Sequence, residues 1–103
     1  MKATAYIHPM SANNEQRIRS RERQKELITR YAEENNIEIA YLAEDGNEGH
    51  LLFDYLCEHP FNDVILIASF ERVASTPKEY YEIEARLKAA GITIVSVTGR
   101  PSC

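Results

Sequence analysis

Long apolar runs are missing from this chain. None exceeds five residues, as in Val64–Ala68, and so short a run cannot span a bilayer. The opening Met1–Tyr6 segment has no apolar core of the kind a signal peptide needs. A cytoplasmic protein with no membrane partner is therefore expected. Cysteine is scarce: Cys57 and Cys103 are the only two, without a CxxC spacing, which disfavours a structural disulfide and a zinc site. The three histidines, His8, His50 and His59, are far apart in sequence. Neither a metal nor another cofactor is expected.

Positive charge is absent from a long stretch. Between Tyr31 and Glu71 there is no lysine or arginine, against ten acidic residues. The formal net charge of −4 argues against general nucleic-acid binding by the whole surface. Cations are concentrated instead: Arg17, Arg19, Arg21, Arg23 and Lys25 fall within nine residues, with only Glu22 among them. On a helix Arg17, Arg21 and Lys25 share one side, while Arg19 and Arg23 share another. The run reads either as a nucleic-acid patch or as a solvated face.

Several nucleotide chemistries lack their motifs. There is no GxGxxG and no GxxxxGK[ST], so dinucleotide and P-loop readings have no support. No acidic cluster and no cysteine follows the first strand candidate. No Ser/His/Asp set has a defensible spacing.

What is present suits one domain over residues 1–103. Apolar residues make up 44% and charged residues 27%, ordinary for a globular chain of this length. Neither repeats nor a linker interrupts it. Ala3–Ile7 reads as a strand, closed by His8-Pro9. Ser11–Asn14 is a loop with capping potential. Residues 15–36 read as a helix with Leu27, Ile28, Tyr31 and Ala32 on an apolar stripe that Ser20 and Gln24 extend. Ile37–Ala43 is a second strand, 44–49 a polar loop, and His50–Glu58 a short helix ended before Pro60. Val64–Ala68, unbroken and apolar, suits a strand covered on both faces. Ser69–Ser75 is a loop. Thr76-Pro77-Lys78-Glu79 is a strong helix start. Tyr80, Ile83, Leu87 and Ala90 then recur at helical spacing, Gly91 stops the helix, and Ile92–Val97 is the last strand. Tyr80, Ile83 and Leu87 are read as core, and Cys57 as a buried small hydrophobe.

The order β-α-β-α-β-α-β implies a mainly parallel, doubly wound α/β sheet with helices on both faces. With four strands in the order 2-1-3-4, the ligand crevice lies between the first and third strands, at their carboxyl ends. The loops meeting there bring His8, Ser11, Ser69, Glu71 and Arg72 around one cleft beside the basic helix. A hydroxyl and guanidinium groups suit binding of, or attack on, a phosphate diester.

The chain resembles the N-terminal catalytic domain of the serine recombinases, the resolvase/invertase family, over almost its whole length. Tyr6-Ile7-His8-Pro9-Met10-Ser11 sits where that family has Tyr-x-Arg-Val-Ser-Thr. Ser20-Arg21-Glu22-Arg23-Gln24 resembles its Ser-x-x-x-Gln helix segment, and 44–49 its Asp-x-Gly-x-Ser-Gly loop. Asp63–Leu66 followed by Phe70-Glu71-Arg72-Val73 resembles its Asp-Val-(apolar)-Leu-Asp-Arg-Leu stretch, and Gly91–Val97 its last strand. The resemblance implies a resolvase-like fold and a serine that attacks a DNA phosphate while arginines hold it. Residue by residue, it implies catalytic roles for Tyr6, Arg72 and Glu71 (in place of aspartate), with His8 where the first-strand arginine stands and Ser11 as the nucleophile candidate. Gln24 matches the helix glutamine. Gln24, Arg17, Arg21 and Lys25 are the candidates for DNA or phosphate contact.

The departures are specific. Met10 occupies the nucleophile's register and Ser11 follows it. His8 replaces an arginine, Ser75 replaces a second one, and the arginine after the 44–49 loop is missing, with His50 nearest. One lost transition-state donor costs about 10²–10³ in rate, so a degenerate site with little strand cleavage is implied. Family members continue into a long dimerisation helix and a DNA-binding domain. This chain, ending at Cys103, is expected to be the resolvase-like domain alone.

Three functions fit. The first is an impaired resolvase-like domain that binds DNA, a protein partner or a second copy, in mobile-element or phage biology. The second is an active recombinase domain cleaving through Ser11, and the third a small anion- or nucleotide-binding domain that shares the fold. Single residues divide the same way. Ser11 is a nucleophile or a helix cap. Arg72 is a phosphate ligand or a surface ion-pair partner of Glu71. His8 is an arginine substitute or a loop histidine.

Overall fold

Alternation within the two central strands organises the molecule. A computed structural model describes residues 1–9, 13–46 and 49–99. In β1 (Lys2–Ile7) the residues Ala3, Ala5 and Ile7 face one side and Tyr6 the other. In β3 (Val64–Ile67) Leu66 joins the first side, while Ile65 and Ile67 join the second. All seven are buried, as expected of strands covered on both faces. One helix, α1 (Asn14–Glu34), lays Ile28 and Ala32 on the first side. Two others, α2 (Leu51–Glu58) and α3 (Pro77–Ala89), pack Phe53, Leu56, Tyr80 and Leu87 on the second.

The sheet has four parallel strands in the order β2-β1-β3-β4, with β2 spanning Glu38–Glu44 and β4 Thr93–Ser96. This is the α/β, doubly wound, 2-1-3-4 arrangement that the sequence implies. The switch in strand order falls between β1 and β3, so the carboxyl ends of those strands open the crevice. Edge strand β2 is mostly exposed and carries an irregularity in its pairing opposite Ala3 and Thr4.

Helix ends follow local chemistry. Asn13 caps α1, its Oδ1 accepting the Glu15 and Gln16 N–H groups at 2.8 and 3.2 Å. Thr76 caps α3 through the Glu79 N–H at 3.1 Å, with Pro77 in the first turn. Two helices stop in the same way. The Ile37 N–H reaches the Ala32 carbonyl at 2.8 Å across Asn36 (φ 55°), and the Ile92 N–H reaches the Leu87 carbonyl at 2.9 Å across Gly91 (φ 83°). Each is a Schellman motif: Leu87 and Ile92 both lie in the core, and Ala32 is buried beside a half-buried Ile37.

Some boundaries differ from the sequence reading. Helix α1 ends at Glu34, because the Asn35–Asn36 pair turns the chain out. Ala90 is exposed at the helix cap, so Leu87 is the last core residue of α3. The 69–75 loop contains a 3-10 turn, Phe70–Arg72. Cys57 is half-buried against the core edge, where burial pushes its thiol pKa up while Arg86 pulls it back.

Candidate functional site

Three loops meet at the carboxyl end of β1. The chain leaves β1 at His8, leaves β2 at Asp45 and Gly46, and leaves β3 into the Phe70–Arg72 turn. His8 is fully buried and joins all three. Its Nε2 lies 2.9 Å from the Gly46 carbonyl oxygen and its Nδ1 3.2 Å from that of Arg72. Its backbone N–H donates to Gln24 Oε1 of α1 at 3.0 Å. The Arg72 carbonyl also meets His50 Nε2 at 3.1 Å, and the two imidazole rings sit edge to face with centroids 4.6 Å apart. In return Arg72 Nη1 points to the His8 carbonyl at 3.4 Å. The predicted meeting of the His8 and Arg72 loops is thus present. Both nitrogens of the His8 ring are turned on backbone oxygens.

A second cluster lies beneath it. Asp45, 7% exposed, receives the Leu52 and Phe53 N–H groups at 2.8 and 3.0 Å and the Tyr6 hydroxyl at 2.6 Å. A carboxylate at a helix start satisfies donors that have no partner within the helix and complements its dipole. The start of α2 is therefore held by a residue of the preceding loop, since His50 itself makes no side-chain cap. Burial, then the bond to Asp45, raises the Tyr6 phenol far above its ordinary pKa. Tyr6 is accordingly a fixed proton donor to Asp45.

Arginine environments divide sharply. On α1, Arg19 pairs with Glu15, Arg21 with Glu44, and Arg23 and Arg30 with Glu26. The sequence reading set only Glu22 against this run. The fold supplies three other glutamates, one of them from β2, because helical spacing and the sheet bring them near. Arg17 has no carboxylate partner among the described residues, and its Nε is buried without an acceptor. Arg72 is in the same condition: its Nε is buried and unpaired, and it has no ion pair among the described residues. Arg17 lies two turns before Gln24 on the same stripe of α1, past the carboxyl end of β1.

The remaining candidates have plain positions. Gln24 is buried, bridging the His8 N–H and Ser20 Oγ, the latter at 3.0 Å from its Nε2. Glu71 is exposed, its pKa lowered by a hydrogen bond from the Ser69 side chain, then by its own backbone N–H and by Arg72. Lys25 lies apart, lining a groove of about 160 Å³ with Ile28, Thr29, Ile39 and Leu42 toward the edge strand. Ser11, the candidate nucleophile, falls outside the described residues. Among those residues no group of three metal-ligating side chains occurs, and no helix is long and apolar enough to cross a membrane.

Solved structures share this architecture. The C-terminal catalytic domain of ISC1926 TnpA, an IS607-like serine recombinase, aligns with 100% of this chain and 71% of its own at TM-score 0.75 and 23% identity. A resolvase family site-specific recombinase from Streptococcus pneumoniae aligns with 98% of this chain and 74% of its own at TM-score 0.80 and 19% identity. The N-terminal catalytic domain of TP901-1 integrase aligns with 97% and 79% at TM-score 0.71 and 14% identity. The fold is that of serine recombinase catalytic domains. No protein-family model and no curated protein matches the sequence.

Within this recombinase fold, sequence reasoning missed the contacts of two residues. The sequence marks Asp45 only as a member of the 44–49 loop and His50 only as the residue nearest a missing arginine. Their roles come from contacts with Tyr6, 39 positions away, and Arg72, 22 positions away. Only the three-dimensional closure of the loops brings these partners together.

Proposed function

We propose that the crevice of this resolvase-like domain binds the phosphodiester backbone of DNA, and that the domain has little or no strand-cleaving activity. The observation that carries the proposal is the pair Arg17 and Arg72. Each has a buried Nε without an acceptor and no carboxylate partner among the described residues. An uncompensated, partly buried guanidinium is costly, and the fork geometry of arginine matches phosphate oxygens. The nearby bonds support the impaired reading. Tyr6 is committed to Asp45, Gln24 to His8 and Ser20, and the His8 ring to two carbonyls. These positions hold the scaffold, which leaves Arg72 and Arg17 as the cations for a ligand.

Fluorescence anisotropy with a labelled duplex tests this. Affinity is expected to fall steeply with rising salt. Arg17→Ala and Arg72→Gln should each weaken binding by about tenfold, a typical loss for one charge-assisted contact. Ser11→Ala should bind like the parent, with no covalent protein–DNA species on a denaturing gel. Absence of duplex affinity at low salt would sink the proposal and leave a protein partner, a second copy or a small anion as the ligand. A covalent species lost in Ser11→Ala would establish the active-recombinase reading instead.

A further inference from the structure

We infer that the flank of the molecule beside β2 is a docking surface for a basic segment of another protein, one that presents arginine side chains to a cluster of exposed rings. Four ring-bearing side chains meet there. Tyr41 and Phe61 stack with centroids 4.4 Å apart and planes 24° apart, yet each keeps about half of its surface in solvent, 51% and 49%. Tyr55 and His59, one turn apart at the end of α2, form a second pair at 4.8 Å, and both are exposed.

The fold puts both pairs on one side. Tyr41 stands opposite Thr4 in the β1–β2 register and two residues before core residue Ala43, so it faces the α2 layer. The Thr4 hydroxyl donates to Asn62 Oδ1 at 3.0 Å. That bond holds the segment after α2, Phe61 included, against the strand. One flank of α2, with Asp54, Cys57 and Glu58, lines a groove shared with Arg86 and Leu87 of α3. Helical spacing turns Tyr55 and His59 to the other flank, toward β2, on which α2 packs.

Rings left outside a core mark an interaction surface, and the charge around them selects the occupant. From Tyr31 to Glu71 the chain has ten acidic residues and no lysine or arginine. Asp54, Glu58 and Asp63 are exposed and have no ion pair among the described residues, while Glu38 meets only Lys2 at 3.8 Å. This field repels a phosphate backbone. A second copy joined face to face would set the same carboxylates against each other. Its α1 would bring Arg19, Arg21, Arg23 and Arg30, which are already paired within the chain. A cationic segment of another protein meets neither obstacle. Arginine fits best, because its planar guanidinium stacks on ring faces and forks onto carboxylates, whereas the lysine ammonium is a hydrated point charge. The inference stands apart from the phosphate reading: the crevice lies at the carboxyl ends of the strands, and Phe61 precedes the amino end of β3.

The probe is a fluorescein-labelled peptide of alternating arginine and glycine, titrated with anisotropy as the readout. It should bind the parent protein at low salt. The same peptide with lysine for arginine should bind several-fold more weakly. Tyr41→Leu and Phe61→Leu keep apolar bulk at exposed sites and remove the ring. Each should weaken the arginine peptide by about two- to fivefold, the value of one exposed cation–ring contact. Tyr55→Leu repeats the test from α2, and circular dichroism checks that each variant is folded. No affinity for the arginine peptide at low salt overturns the proposal. So does equal affinity for the two peptides, or a folded Tyr41→Leu, Phe61→Leu double variant that binds as the parent does. Sedimentation that shows a parent dimer dissolved by the double variant would give this face to a second copy and overturn it as well.

Discussion

Tyr6 and Asp45 form a unit whose parts cannot be removed independently. The carboxylate is buried and accepts from one phenol and two backbone N–H groups. Tyr6→Phe removes one donor and leaves the other two, so a loss of about 1–3 kcal/mol is expected. Asp45→Ala strips the start of α2 and strands the phenol, and should cost at least as much. Urea unfolding of both single variants and the double variant measures the coupling. A double variant that loses the full sum would show the pair to be independent, against the 2.6 Å contact. The same residues explain why this part of the site was only half legible in the sequence. Tyr6 stood out through its motif. Asp45 did not, since nothing local distinguishes a loop aspartate that caps a helix seven residues later from one that faces water.

At the scale of elements, legibility tracked the range of the interactions involved. Thr76-Pro77-Lys78-Glu79 and Gly91 act within one or two turns, and the ends of α3 lie where those residues imply. The apolar run at Val64 is self-announcing and gave the central strand. Arg21–Glu44 joins α1 to β2 across 23 positions, and no helical periodicity could announce it. The two Schellman ends allow a controlled comparison. Gly91→Ala places a methyl in open space, because nothing lies within 4 Å of its Cβ position. Its cost is then the backbone term alone, about 1–2 kcal/mol. Asn36→Gly relaxes the same left-handed conformation and should be neutral or mildly stabilising. Thermal or urea unfolding midpoints check both. A Gly91→Ala variant as stable as the parent would refute the left-handed requirement at that position.

For the whole molecule, the proposed DNA binding requires a chain of net charge −4 to meet a polyanion. The acidic middle of the chain repels DNA at long range, so the attraction has to be local and confined to the crevice end. Glu58 ends α2 and Asp63 precedes β3, both exposed, at the end of the sheet opposite the crevice. Glu58→Lys with Asp63→Lys changes the charge by two units at each site, from −4 to 0. If crevice contacts dominate, this variant should associate faster with duplex DNA, yet Arg72→Gln should cost the same tenfold factor in both backgrounds. If general electrostatics dominate, the added lysines should mask the Arg72→Gln loss. Anisotropy titrations of the four proteins at two salt concentrations separate these outcomes. On the proposed reading, remote charge would set the rate of encounter, and Arg17 and Arg72, each with an Nε lacking an acceptor, would set where a phosphate comes to rest.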